Sequence, residues 1–114
     1  MYATYNGGNR QFKKMDKREA ISLVRRYKEL VCQHLPVKSV YLFGSYSKGG
    51  YTEESDIDVA VIVPTDRSED TWWEDSSLLW SLCRKVSTTI EPVLMYEGSD
   101  SPLYYDVMKT GIEI

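Results

Sequence analysis

Two aspartates separated by one residue have the clearest chemical potential in this sequence. Asp56 and Asp58 open an apolar run at residues 59–63, which is typical of a buried strand. Residues i and i+2 of a strand point to the same face, so the two carboxylates can bind a pair of hard divalent cations about 3.5–4 Å apart. Such cations prefer oxygen ligands and phosphates. An ordinary solvated strand start would show the same pair.

A Gly-Ser pair precedes these carboxylates and follows a first apolar run at residues 40–43. Gly44 permits a sharp turn and a close approach of the backbone to a ligand. Ser45, at the start of a following helix, can offer its hydroxyl and exposed N–H groups to a phosphate. Alone, the pair predicts an ordinary turn. The combination of strand, Gly-Ser, ten residues, Asp-x-Asp and strand is rarer and predicts a site for a phosphate and its metal.

The elements that position these residues follow from capping signals and apolar periodicity. Asp16 and Glu19 predict the start of a helix that ends at Pro36. Pro92 places its strand at an edge or at a bulge, because proline cannot donate to a ladder. The order predicts an α/β (α+β) domain with a small mixed sheet of three to four strands flanked by helices. The strands are expected at 37–43, 56–63, 88–96 and 112–114, and the remaining helices at 45–48, within 70–87 and at 102–110.

Length and charge narrow the class of protein. The 114 residues suit one domain, expected at residues 15–114 after a mobile leader at residues 1–14. No membrane-spanning run or signal peptide is apparent, which favours a cytoplasmic protein. A formal charge of −3 argues against binding of long nucleic acids. Cys32 and Cys83 lie in apolar helical patterns, which favours buried, reduced thiols.

The residues around the two motifs resemble a known signature. Phe-Gly-Ser-Tyr-Ser-Lys-Gly at 43–49 and Ser-Asp-Ile-Asp-Val-Ala-Val at 55–61 resemble the DNA polymerase β-like nucleotidyltransferase superfamily. The short chain is similar to its minimal nucleotidyltransferases, the antitoxin partners of HEPN-domain toxins. The resemblance covers residues 15–114.

The resemblance implies a magnesium-dependent transfer of a nucleoside monophosphate, AMP by preference, from ATP or another nucleoside triphosphate to a hydroxyl. Pyrophosphate would leave. Gly44 and Ser45 would hold the triphosphate, with help from a basic residue, Lys48. By the same resemblance, Asp56, Asp58 and Glu91 would be the ligands of two magnesium ions.

Glu91 departs from the commoner form of the signature, in which an aspartate supplies the third carboxylate. The resemblance assigns it one metal ion and a part in deprotonating the attacking hydroxyl. An edge-strand carboxylate without a role is the alternative, and Pro92 stiffens the strand beside it. Three functions therefore stay open. They are an adenylyltransferase antitoxin that modifies its HEPN partner, a non-catalytic binding antitoxin, and the catalytic subunit of a small-molecule, aminoglycoside-type nucleotidyltransferase.

The size of the domain and its tryptophans point to association. A domain this small has little surface to enclose both a nucleotide and an acceptor, so a homo- or hetero-oligomer that completes the cleft is expected. Trp72 and Trp73 are adjacent and cannot both face the core of one helix. One of them is expected at the surface, where exposed aromatic residues often mark protein interfaces.

Overall fold

The computed structural model describes residues 15–52, 54–66 and 69–114, so the predicted leader at residues 1–14 lies outside the described residues. Helices and strands follow one another in the predicted order, with a 3-10 turn at Glu69–Thr71. No helix in these ranges is both long and apolar enough to span a bilayer. The elements are α1 (Lys17–Cys32), β1 (Ser39–Phe43), α2 (Ser45–Lys48), β2 (Ile57–Val63), α3 (Trp72–Cys83), β3 (Ile90–Tyr96), α4 (Pro102–Thr110) and β4 (Ile112–Glu113).

The predicted capping box starts α1. The Asp16 carboxylate accepts from the Glu19 N–H, and the Glu19 carboxylate accepts from the Asp16 N–H. The predicted end at Pro36 is wrong, because α1 stops at Cys32. A residue that precedes proline is disfavoured in the helical conformation, so Leu35 already belongs to a closing turn, where its N–H donates to the Val31 carbonyl.

The sheet has four strands in the order β3-β2-β1-β4, which confirms the predicted small mixed sheet. β1 is antiparallel to β2 and to β4, whereas β2 and β3 are parallel. All residues of β2 except Asp58 are buried. This strand is therefore covered on both faces and fixes the position of the aspartates that open it.

Pro92 lies on the open edge of the sheet, as predicted. The Ile57 N–H donates to the Thr89 carbonyl at one end of β3, and the Glu97 N–H donates to the Val63 carbonyl at the other. Alternate residues of a parallel strand bond to the same neighbour, so the odd-numbered residues of β3 face β2 and the Pro92 nitrogen faces away. The register continues through Pro92 without a bulge.

The two faces of the sheet carry different cores. The larger core lies between the sheet and helices α1 and α3, and the smaller core lies under α4. Asp58 belongs to the α4 face, because it alternates with Ala60 and Ile62, which pack in the smaller core. The side chains of that core are Phe43, Ala60, Ile62, Met95 and Val107.

The two cysteines differ in exposure. Cys83 is buried and Cys32 is exposed, and both are free thiols. The predicted burial is therefore confirmed for Cys83 and wrong for Cys32. The buried side chain at the end of α1 is its neighbour Val31, so the thiol of Cys32 falls beside the apolar stripe.

Candidate active site

Gly44 forms the turn between β1 and α2, and its conformation requires glycine. Its φ of 72° and ψ of −143° lie in a region that side chains strongly disfavour. A Cβ added there would also collide with the Asp58 carboxylate. Phe43 and Asp58 are paired residues of the antiparallel ladder, so the strand register itself brings the turn against the carboxylate. Gly44 thereby keeps open the space beside Asp58.

The short helix α2 begins directly after this turn, at Ser45. The Gly44 carbonyl accepts from the N–H groups of Ser47 and Lys48 and from the Ser47 hydroxyl. The N-cap of α2 is Gly44, which has no side chain to accept from the first N–H groups, so these groups can face a ligand. The structure thus places Gly44 against Asp58, with Ser45 following at the first position of α2.

A pair of tyrosines holds α2 and the following loop in place. Tyr46 is buried, its hydroxyl donates to the Met15 carbonyl at 3.1 Å, and its ring stacks on Tyr51 with centroids 4.4 Å apart. Nearer the aspartates, the Ser55 hydroxyl accepts from the Thr52 N–H at 2.8 Å. Tyr46 and Tyr51 therefore hold the start of this segment in place, a role that the sequence did not reveal for Tyr46.

Three carboxyl groups meet at the start of β2 and β3. Asp56 directly precedes β2 and is exposed, and Asp58 within the strand is half-buried. Glu91 is paired with Asp58 across the parallel ladder and is exposed. The structure therefore brings together all three carboxylates that the sequence singled out, although 33 residues separate Asp58 from Glu91.

The pKa values of this cluster record its excess of negative charge. Burial, and then the charge of Asp56, raises the pKa of Asp58 above its ordinary value. The pKa of Glu91 is raised first by a side-chain hydrogen bond with Asp56, then by burial and by the charges of Asp56 and Asp58. A hydrogen bond between two carboxyl groups requires a shared proton. A cation would remove the need for that proton.

The donor chemistry fits magnesium, although the side chains are not yet arranged around an ion. Within the described ranges, no three acidic, histidine or cysteine side chains form a complete metal-binding group, whereas the raised pKa values show that the carboxyl groups interact. The carboxyl groups are therefore close enough to interact but do not enclose an ion. Hard oxygen donors, surplus negative charge and the space kept open by Gly44 suit a divalent cation.

Lys48 is held by a residue that sequence reasoning missed. Its Nζ donates to Asp106 Oδ2 at 3.0 Å, and both side chains are partly exposed. The pair joins α2 to α4 on the side of the sheet that carries Asp58. Because 58 residues separate the partners, no local pattern could have indicated the contact.

Replacing Asp58 by asparagine is expected to stabilise the metal-free protein above the acidic range. The raised pKa means that the folded state keeps a proton that the unfolded chain has released. This contribution to stability is complete at low pH and is lost as pH rises through the ordinary and then the raised pKa. In EDTA at pH 7.5, Asp58→Asn should raise the Tm above that of the unaltered protein by a few degrees at most.

Differential scanning calorimetry with EDTA or with magnesium tests this expectation. Magnesium should raise the Tm of the unaltered protein and have little effect on Asp58→Asn. Asp66→Asn, an exposed position after β2, serves as the control. An Asp58→Asn variant that is less stable than the control in EDTA at pH 7.5 would contradict the proposed charge repulsion.

Comparison with protein families and curated relatives supports the interpretation of this geometry as a nucleotidyltransferase site. The family model described as nucleotidyltransferase domain matches residues 24–107, a range that includes all six candidate site residues. A candidate protein adenylyltransferase of Methanocaldococcus jannaschii is 46% identical over 43 residues, which are 38% of this chain and 43% of that protein. The chain thus matches less than half the length of this relative. A second one from the same organism is 29% identical over 101 residues, 84% of this chain and 99% of that protein.

One of the similar solved structures confirms the fold. A candidate nucleotidyltransferase from Sulfolobus solfataricus superposes with a TM-score of 0.64 at 21% identity, over 94% of this chain and 88% of that chain. A toxin–antitoxin complex with AMP-PNP is similar at a TM-score of 0.48 and 25% identity, over 87% of this chain and 72% of that chain. The first superposition extends over nearly the whole of both chains, so the arrangement of helices around the mixed sheet is that of a nucleotidyltransferase.

Proposed function

This chain belongs to the nucleotidyltransferase domain family, and we propose that it transfers AMP from ATP to a hydroxyl group of a partner protein. One observation carries the proposal. The parallel ladder sets Glu91 beside Asp58, whose carboxylate lies against the Gly44 turn, at the place that a Cβ on residue 44 would occupy. The names of the two relatives, both candidate protein adenylyltransferases, support an adenylyl group and a protein acceptor.

Asp56, Asp58 and Glu91 would hold the magnesium ions. When bound, magnesium supplies Lewis-acid polarisation of the phosphate oxygens and a lower pKa for the attacking hydroxyl. Gly44 and Ser45 would receive the triphosphate at the uncapped start of α2. Their backbone donors would orient the α-phosphorus toward the acceptor. This positioning would raise the rate of the transfer step.

The reaction then needs one proton acceptor and one leaving group. The acceptor oxygen forms a bond to the α-phosphorus, the bond to the bridging oxygen of the β-phosphate breaks, and pyrophosphate leaves. Glu91 is exposed at the open edge of the sheet, where an incoming hydroxyl can reach it. We assign to Glu91 the removal of the hydroxyl proton.

Lys48 is proposed to exchange its ion pair with Asp106 for the triphosphate. An exposed ion pair contributes only about 0–1 kcal/mol, so phosphates can displace the carboxylate. Asp106→Asn is expected to lower the KM for ATP by up to about fivefold, because Lys48 is then released. Lys48→Ala should raise the KM by about tenfold. Steady-state kinetics checks both changes.

Lys109→Ala is the matched control for these variants, since this exposed lysine of α4 should leave the KM for ATP unchanged. An Asp106→Asn variant whose KM for ATP rises would show that Asp106 positions Lys48 and does not compete with the phosphates.

The partner is proposed to be a HEPN-domain toxin, with this chain as its antitoxin, in the cytoplasm. The proposal rests on the sequence resemblance to minimal nucleotidyltransferases. Pro92 and the glutamate at position 91 favour the non-catalytic alternative slightly, but the proline nitrogen faces the open edge and the ladder beside Glu91 is regular. Activity is therefore favoured over binding alone.

Label transfer tests the function. The protein would be incubated with magnesium and each α-phosphate-labelled nucleoside triphosphate. The acceptors would be the protein itself, a HEPN-domain protein encoded next to it, or an aminoglycoside. Label from ATP on the HEPN protein, absent when Asp56 and Asp58 are both replaced by alanine, is the expected result. Tight binding without label would favour the non-catalytic antitoxin, and label on the aminoglycoside would favour the small-molecule enzyme.

A further inference from the structure

Helix α3 exposes a stripe of tryptophans on the side of the domain away from the carboxylates. Trp73 is 75% exposed, Trp80 is 43% exposed and Trp72 is 37% exposed. Both members of the Trp72–Trp73 pair are therefore exposed, where the sequence predicted one. Around them lies a groove of about 380 Å³ whose walls are Trp72, Trp73, Ser76, Ser77, Trp80, Ser81 and Arg84. Because burying tryptophan is strongly favourable, such a large exposed aromatic area indicates an interface.

We propose that this stripe, named here the α3 seam and defined as Trp73, Ser77, Trp80 and Arg84, joins two copies of this chain around a two-fold axis. The four residues recur at intervals of four, three and four along one helix, the spacing by which helices pack along a seam. The backbone of Arg84 is still helical, so all four side chains share one face. The proposal does not depend on the proposed nucleotidyl transfer.

The sizes of the seam residues favour an antiparallel pair of helices. In an antiparallel arrangement centred between residues 78 and 79, Trp80 of one copy lies over Ser77 of the other, so a large side chain meets a small one. Trp73 of one copy then lies beside Arg84 of the other, where a guanidinium can stack on the indole. A parallel pair would instead set Trp80 against Trp80 and Arg84 against Arg84.

Charge favours the same arrangement. Glu74 lies in the first turn of α3 and Arg84 directly follows its last turn. Within the described ranges neither side chain forms an ion pair. An antiparallel pair brings Glu74 of each copy toward Arg84 of the other, whereas a parallel pair sets like charges together. In the antiparallel pair, Glu74 and Arg84 of each copy therefore each gain a partner of opposite charge.

The position of the seam leaves the candidate active site accessible. Helix α3 packs on the α1 side of the sheet through Leu79 and Leu82, and Asp58 belongs to the α4 side. The exposed parts of the four seam tryptophans, Trp73 and Trp80 of each copy, would bury on the order of 500 Å², less than half of the ~1,200 Å² of a small stable interface. We therefore expect a reversible dimer with a dissociation constant in the micromolar range.

Sedimentation velocity across a concentration series tests the association. The purified chain should shift from monomer to dimer between nanomolar and high micromolar concentration. Trp80→Ala should weaken the dimer at least tenfold, whereas Tyr105→Ala, which removes a 59% exposed aromatic side chain from α4, should leave it unchanged. A monomer at every concentration up to the millimolar range would overturn the proposal, even if another protein binds the tryptophans.

Charge reversal tests the antiparallel arrangement without altering the core. Glu74→Arg and Arg84→Glu should each weaken self-association, because each gives two like charges at both ends of the seam. Mixing the two single variants should restore a dimer that contains one copy of each. Circular dichroism would confirm that both variants are folded. If the mixture associates no more tightly than either variant alone, the antiparallel pairing is wrong.

Discussion

Asparagine in place of Asp58 is expected to reduce the rate of nucleotidyl transfer by about 10³-fold or more. The carboxylate lies against the Gly44 turn, and its residue is paired with Glu91 across the ladder, so it lies next to both the proposed triphosphate site and the proposed base. The Asp58→Asn substitution keeps the shape of the side chain and removes its charge. Single-turnover transfer from labelled ATP, with saturating magnesium and acceptor, measures the effect on the chemical step.

The other carboxylates should give graded losses. Asp56→Asn is expected to approach the loss at Asp58, since its carboxyl group interacts with both of the others. Glu91→Gln should cost about 10²-fold, the usual contribution of a general base. The pH profile of transfer by Glu91→Gln should also lack the limb that reports deprotonation of a carboxyl group.

Glu54→Gln is the matched control, because Glu54 is an exposed carboxylate on the same loop and forms no part of the cluster. All variants should remain folded, with a Tm in EDTA no lower than that of the unaltered chain. If Asp58→Asn transfers AMP at a rate close to that of the Glu54→Gln control, the assignment of the site fails, whatever the stability shows.

Much of this fold could be predicted because its signals are local. The capping box of Asp16 and Glu19, the Gly-Ser turn and the proline at the first position of α4 each act within four residues, and the structure has all three. The end of α1, in contrast, could not be predicted from a local signal. The apolar period continues to Leu35, and the choice between one more helical turn and a compact link to β1 depends on tertiary packing.

The residues of the candidate site also differ in whether a local signal predicts their positions. Asp56 and Asp58 share a strand, so their spacing alone predicts their proximity. Glu91 could be added only through resemblance, because a parallel pairing of β2 with β3 depends on how the intervening α3 packs. Asp106 had no local signal at all. Its contact with Lys48 exists because α4 returns across the sheet face that carries the smaller core.

Alanine in place of Gly44 is expected to damage both stability and activity. A residue with a side chain at a φ of 72° and a ψ of −143° costs about 1–3 kcal/mol, and the new methyl group would collide with the Asp58 carboxylate. Displacement of that carboxylate should reduce transfer at least 10²-fold, because a small misplacement of reacting groups costs about that much. Chemical denaturation and single-turnover transfer measure the two losses.

Gly49→Ala separates strain from collision. Gly49 also has a positive φ, 91°, but a Cβ there would meet no atom within 4 Å, so this variant should lose about 1 kcal/mol of stability and keep most of its activity. The collision itself is isolated by a double-mutant cycle, in which Asp58→Ala removes the oxygen that the methyl group would strike. Gly44→Ala should then cost less stability in the Asp58→Ala background than in the unaltered chain, because neighbouring residues that clash are not additive. Equal costs in both backgrounds would mean that backbone strain alone makes Gly44 necessary.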